Sequence, residues 1–365
     1  MKKNRIKLLT GISIILITGI IIFSSSTSKQ SKATVSLNDY ETGKKNVMVA
    51  ANYKGKWGFI DKLGQWVIKP KYSAVGRFSE GLACAEYENK YGYIDIRGAW
   101  AIEPNFDNAF NFSEGLALVT LNSKYGYIDK TGTMVIEPKF RGTSLGNFSE
   151  GAAVLCLDGK WGCIDKSGNF IIEPKFDDIG NYSRNFEIVK FSEGLIPACS
   201  NYKWGYLNKE GNFTIESKFD DAEDFSDGLA FVKVNNKWGL IDKNGKFLVE
   251  PKFDDVVDFS DGLAAVKIKN KWGIINKKGE VVIEPKLEIS PYFRLKYSEG
   301  LAVIENNDKW GYMDSKGHWA IKPTFDSASD FSEGLAAVKI DNKWGFINKE
   351  GKLVIKAKFE NVFDF

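Results

Sequence analysis

One short phrase, seen at residues 270–279 as Asn-Lys-Trp-Gly-Ile-Ile-Asn-Lys-Lys-Gly, occurs nine times in this chain. Its leading ring falls at Trp57, Tyr91, Tyr125, Trp161, Trp204, Trp238, Trp272, Trp310 and Trp344, at intervals of 34, 34, 36, 43, 34, 34, 38 and 34 residues. A period of this size, held this long, means small supersecondary units that bury their apolar faces against one another. At 365 residues the chain has the length of one large or two ordinary domains, but the repeat overrides that count.

Each unit carries three strand-like pieces, illustrated by residues 262–268, 271–276 and 281–287. They are short, rich in β-branched and aromatic residues, and separated by turn formers. No window carries a 3.6-residue stripe of useful length, so helix is a poor alternative for these units. The link from the second piece to the third ends in a fixed glycine (Gly64, Gly98, Gly132, Gly168, Gly211, Gly245, Gly279, Gly317, Gly351), as a left-handed hairpin position requires. Along the third piece, Ile or Val and a following Phe, Tyr or Leu share one face, with Glu or Lys pointing away. The Pro after that charge, as in Pro138 and Pro251, lacks a ladder donor and belongs at a strand end or edge. A connector ending in Ser-Glu-Gly or Ser-Asp-Gly, begun at Ser79, Ser113, Ser149, Ser192, Ser226, Ser260, Ser298 and Ser332, makes a compact joint to the next unit.

The chain is therefore expected to be all-β, a tandem array of nine three-stranded β-meander units. Nine whole units fit between residues 47 and 365, with none divided between the termini. Units of 34 residues are also small against the roughly 40–50 of four-stranded propeller blades. Nine units exceed the usual count of about 4 to 8 blades. An open, curved, solenoid-like stack is the leading architecture, and a closed β-propeller is the alternative if the connector hides a fourth strand.

Residues 1–23 read as a signal peptide or an N-terminal membrane anchor, with Lys2, Lys3, Arg5 and Lys7 before the apolar run from Leu8 to Phe23. Residues 24–46 form a polar, Ser-rich linker. The formal charge of +3 conceals a split: residues 1–46 hold eight basic and two acidic residues, and the remainder 42 basic and 45 acidic. So even a balance is not the footprint of a nucleic-acid binder. The expected location is extracytoplasmic, either secreted or attached to the membrane only through the N-terminal segment.

The phrase Lys-Trp-Gly-x-Ile-Asp/Asn-Lys-x-Gly, followed by Val-Ile-Glu-Pro-Lys-Phe-Asp and Phe-Ser-Glu-Gly-Leu-Ala, resembles the bacterial WG (KWG) β-repeat family. Residues 160–176 match it almost throughout, and Tyr91 and Tyr125 depart from it by replacing Trp. The resemblance implies a bacterial repeat module, often outside the cytoplasm, and supplies no catalytic residues.

A search for chemistry finds little. His318 is the only histidine, placed where other units carry Gln65, Ala99, Lys246 or Glu280. The acidic pairs Asp177-Asp178, Asp220-Asp221 and Asp254-Asp255 lack the spacing of known calcium loops, and turn capping accounts for them. Glu137, Glu173, Glu250 and Glu284 occupy equivalent positions, whereas an active site breaks symmetry. The four cysteines match no zinc pattern; Cys156 and Cys163 flank a tight turn, where a disulfide and two free apolar fillers are both open readings. No cofactor and no metal site are expected.

The ten Trp fall in two repeat positions, the Trp-Gly phrase and the third strand (Trp66, Trp100, Trp319), which marks them as framework and not as ligand platforms. The structural framework is assigned to Trp57, Trp161, Trp204, Trp238, Trp272, Trp310 and Trp344, with Gly58, Gly162, Gly205, Gly239, Gly273, Gly311 and Gly345. The Lys before each ring recurs in all nine units, its stem suited to lie on the ring while the ammonium stays wet. A ladder of ammonium groups for an anionic polymer is the competing reading, disfavoured by the near-neutral charge.

Length variation is confined to the connectors: two extra residues within 141–147, nine within 177–190 and four within 288–296. Variable loops on a fixed scaffold are where binding is usually placed, although insertions also collect where they cost least. The candidate binding residues are Arg141, Tyr182, Arg184, Glu187, Tyr292 and Arg294. The leading function is a non-catalytic extracytoplasmic repeat scaffold that binds a protein or a cell-envelope polymer. The alternatives are a secreted or membrane-anchored hydrolase with its site near residues 177–190, and a structural spacer without a specific ligand.

Overall fold

The computed structural model describes residues 47–141, 145–180, 189–287 and 296–365. Every regular element among them is a β-strand. The three expected strands of a unit are present, and a short fourth strand in the connector joins them. In the sixth sheet the order is Asp221–Ala222, Leu229–Val234, Lys237–Asp242, Phe247–Phe253, all antiparallel. Nine such sheets, here called blades 1 to 9 in chain order, make up the described residues. In blade 4 (Ala153–Leu157, Lys160–Ile164, Phe170–Phe176) the described residues show the bridge Leu145↔Leu155 at the fourth edge.

Blade 1 decides the architecture. Its strands Val49–Tyr53, Lys56–Ile60 and Trp66–Tyr72 are completed by Asn361–Val362 from the far end of the chain, paired Ala51↔Val362 and Asn52↔Asn361. The amides of Glu360 and Phe363 donate to the carbonyls of Asn52 and Ala50, each at 3.0 Å. The nine units thus form a closed nine-bladed β-propeller around a central axis, not an open stack. One blade is, against expectation, shared between the two ends. The expectation failed because the fourth strand is two residues long in most blades, too short to show a period-two pattern. A single residue such as Asp220 links the third strand of one blade to it, so a 34-residue unit suffices for four strands.

The seam repeats the contacts made elsewhere between blades. Gly98 sits over the Ile68 side chain of the preceding blade, and Gly64 sits in the same way over Ile355 of blade 9. Lys130 pairs with Glu80 at 2.9 Å, and Lys62 pairs with Glu333 across the seam at 3.2 Å.

The Trp-Gly phrase now has a physical reason. Trp238 pairs with Phe253 and Leu240 with Val249, so Gly239 alone faces Glu250, Pro251 and Lys252 on the third strand. This bulge arches over the glycine: a Cβ at Gly92 would lie 2.5 Å from the Ile102 carbonyl oxygen and 2.7 Å from the Pro104 nitrogen. The proline sits inside the bulge of an edge strand, where no ladder donor is lost.

The tight turns are type I′. Glu88 and Asn89 have φ of 50° and 63° between Tyr87 and Lys90, and Glu80 and Gly81 have 53° and 90° between Ser79 and Leu82. Two positive φ values match the twist of the strands they join. The core lies between facing blades, as in the cluster of Tyr93, Ile102 and Phe106 of blade 2 with Phe112, Ala117 and Ile128 of blade 3.

Candidate functional site

Most of the repeated polar residues are taken up by contacts between blades. Serines of the Ser-acidic-Gly joints donate to the carbonyl of an aromatic residue one repeat on, as Ser79 Oγ to Phe112 (2.6 Å), Ser192 Oγ to Phe225 (2.7 Å) and Ser332 Oγ to Phe365. The acidic residue that follows accepts the next joint's glycine amide, as Glu114 does from Gly151 at 2.9 Å. Lys166 pairs with the same Glu114 carboxylate at 3.2 Å.

The lysine before the ring does not serve mainly as a cover for it. Lys90, Lys160, Lys203, Lys237 and Lys309 pair with Asp107, Asp177, Asp220, Asp254 and Asp326, the residues that leave the third strand. The same aspartates accept a turn amide of the next blade, as Asp107 Oδ2 does from Asn122 at 2.7 Å. The lysine ion pair first, with these amide bonds, holds their carboxyls below the usual range. The acidic pairs are explained the same way: the second member caps its own strand, Asp178 Oδ1 accepting from Ile179 at 2.8 Å. Exposed ion pairs of this kind are individually weak, but the belt runs from blade to blade. At the seam, Glu360 takes the aspartate's place and accepts from the Gly55 amide at 2.9 Å.

Among the leading rings, Trp161, Trp204, Trp238 and Trp272 are buried, and Trp57, Trp310 and Trp344 are half-buried. Third-strand rings pack edge-on against the preceding blade: Trp66 on Phe359 at 5.7 Å across the seam, Trp100 on Tyr72 at 5.6 Å and Phe213 on Phe176 at 5.8 Å. The buried tyrosines of the phrase are satisfied, as Tyr93 Oη donates to the Phe110 carbonyl at 2.8 Å. The lysines found over rings are chiefly those of the Glu-Pro-Lys segment, such as Lys175 over Phe176 at 5.3 Å.

His318 is exposed, with Nδ1 3.6 Å from Asp314 Oδ2. The four cysteines are buried and free. The strand register sets Cys156 opposite Trp161 and Cys163 opposite Val154, so the two cysteines are diagonal neighbours and not a facing pair. Burial pushes the Cys84 thiol up to about 11 and that of Cys163 up to about 12, which keeps both protonated at neutral pH.

Of the candidate binding residues, Tyr182, Arg184, Glu187, Tyr292 and Arg294 lie outside the described residues. Arg141 is described: it is exposed and stands where Asp107, Asp177 and Asp220 stand in other blades.

Sequence reasoning missed a break in symmetry in blade 5. The last residue of the first strand is Tyr53, Tyr87, Leu121, Leu157, Val234, Ile268, Asn306 or Ile340 elsewhere, and Ser200 here. In blades 1 and 2 that side chain leans on the third-strand ring, Tyr53 on Trp66 and Tyr87 on Trp100, both at 6.5 Å. Serine is too short to do this for Phe213, and a cavity of about 500 Å³ opens there, walled by Phe176 and Phe213. Lys175, Asn212 and Glu216 also line it. Two residues on, Tyr202 occupies a turn position held by Gly, Asn, Ser or Asp in the other eight blades, and it is 89 % exposed. Aligning the nine copies position by position would have exposed both departures.

The fold and these contacts define a nine-bladed β-propeller built from tandem repeats. The repeat model for "WG containing repeat" matches nine consecutive segments from residue 57 to residue 365, and the chain belongs to this WG β-repeat family. A comparison with curated proteins found no match. Among solved structures, a eukaryotic initiation factor is similar at 13 % identity, over 88 % of this chain and 98 % of that one, with a TM-score of 0.56. This likeness concerns the fold alone. The dihydro-heme d1 dehydrogenase NirN is similar at 13 % identity over 76 % and 72 % of the two chains, with a TM-score of 0.42. Kluyveromyces lactis Hsv2p follows at 8 %, over 80 % and 98 %, with 0.37.

Proposed function

We propose that this chain is a non-catalytic repeat scaffold, held on the outer side of the membrane by residues 1–23 and presenting a rigid ring beyond a polar linker. The observation that carries the reading is the use of the repeated Ser, Lys, Asp and Glu side chains in contacts between blades, continued across the seam by Lys62–Glu333 and Glu360–Gly55. Groups committed to neighbouring blades in this way stiffen the ring and are not poised for chemistry. The departures from the repeat at Ser200 and Tyr202 also favour a second element of function, binding of an envelope polymer at blade 5.

The test is fractionation of bacteria producing the full chain or the chain without residues 1–46, with protease added to intact cells. The full chain is expected in the membrane fraction and open to the protease. Recovery of both forms as protected cytoplasmic protein refutes the placement. Co-sedimentation with isolated envelope material over a salt series then separates a binding scaffold, which saturates and survives moderate salt, from a plain spacer.

A further inference from the structure

We infer that the notch between blades 4 and 5 is a binding site for a neutral sugar of an oligosaccharide chain, which deepens the scaffold reading by giving its ligand a chemical class. Three observations meet there. The first is Ser200, the shortest residue at the end of a first strand in the nine blades, which lines the notch beside the half-buried ring of Phe213. The second is the shape of what opens: about 500 Å³, within the roughly 300–1,000 Å³ of small-molecule sites. Its walls are two rings set edge to face, Phe176 and Phe213, 5.8 Å apart at 90°.

The third is Tyr202. It holds φ at 60°, a conformation uncommon for bulky residues, at the tip of a turn where packing gives it no return. Its turn is fastened to blade 4 beside Phe176, because Asp177 accepts from the Asn201 amide at 2.9 Å and from Lys160 Nζ at 2.7 Å. Tyrosine there costs stability, and its exposed ring lies two residues from Ser200 in the chain.

The polar groups favour a sugar. Ser200 Oγ, the Asn212 amide and the Glu216 carboxylate can exchange hydrogen bonds with hydroxyls, while the half-buried Phe213 ring offers an apolar contact to the C–H groups of a pyranose. Lys175 and Glu216 oppose one another in charge, so the notch has no net sign with which to select a polyanion.

The experiment uses the full-length chain in detergent micelles. Titration calorimetry and saturation-transfer NMR are run with N-acetylglucosamine trimer and cellotriose, and with tetra-alanine as the peptide control. Saturable binding of at least one trisaccharide is expected, weakened tenfold or more by Ser200→Ile, which fills the notch with the residue that stands there as Ile268 and Ile340 in two other blades. The melting temperature of this variant should equal or exceed that of the parent, so loss of binding cannot be ascribed to unfolding. Tyr202→Gly, which relieves the turn, should weaken binding severalfold and raise the melting temperature. Failure of both sugars to saturate, binding of the peptide alone, or an unchanged affinity in Ser200→Ile overturns the assignment. A cytoplasmic chain that binds the sugar refutes the scaffold reading and leaves the site standing. An envelope-attached chain that binds no sugar does the reverse.

Discussion

Replacing Gly92 by alanine should be among the most damaging single-methyl changes in the ring. The added Cβ would lie 2.5 Å from the Ile102 oxygen, 2.8 Å from the Glu103 carbonyl carbon and 2.7 Å from the Pro104 nitrogen, all backbone. Ordinary contacts begin at 3.4 Å, so the bulge must retreat by close to an ångström. It is held on both sides by the pairs Tyr93↔Ile102 and Tyr91↔Phe106, and it cannot slide along the strand. Overpacking of this kind costs about 3 kcal/mol, which for a domain of this size lowers Tm by about 4–5 °C. Gly81→Ala in the same blade is the control. Gly81 has φ of +90° and nothing within 4 Å of an added Cβ, so only the left-handed penalty of about 1 kcal/mol applies. Thermal and urea unfolding, followed by tryptophan fluorescence, will rank the two. If Gly92→Ala costs no more than Gly81→Ala, the close approach of the bulge is not why the phrase carries glycine.

Trp238→Ala, at a ring wholly removed from solvent, should destabilise by about 3–5 kcal/mol and loosen both neighbouring blades in hydrogen exchange; unchanged stability would refute its place in the core. Deleting residues 361–365 removes the closing strand, and Val49–Tyr53 should then lose amide protection while blades 4 to 6 keep theirs; equal protection would show that the ring holds without its seam. Burial pushes the Asp178 carboxyl up to about 6, with Asp221 adding a smaller like-charge effect. Folding thus favours its protonated form, and that contribution is complete below the usual value of 3.8 and is lost as pH rises through about 6. Asp178→Asn, which can keep the Ile179 cap as Asn108 caps Ala109, should flatten the stability profile between pH 4 and 6. With solvent screening discounted, it should add about 1 kcal/mol at pH 7; a profile identical to the parent's would refute the assignment.

The break at blade 5 was legible in principle, because Ser200 and Tyr202 differ from their equivalents in every other copy. The search for shared residues passed over them, since a repeat is recognised by what its copies have in common. That Ser200 opens a cavity depends on how far its neighbours reach, and that is a property of packing.

The sequence by itself determined the unit: its period, three of its strands, the hairpin glycine and the two positions of the Trp. These are local properties, set by turn chemistry and by alternation along single strands. Closure was decided only in the tertiary structure. The strand that shuts the ring is Asn361–Val362, two residues without a pattern of their own, whose pairing with Ala51 and Asn52 depends on the angle accumulated over nine blade-to-blade contacts. That angle is set by how bulges such as Glu250-Pro251-Lys252 and glycines such as Gly98 seat each blade on the one before. No single unit encodes the sum.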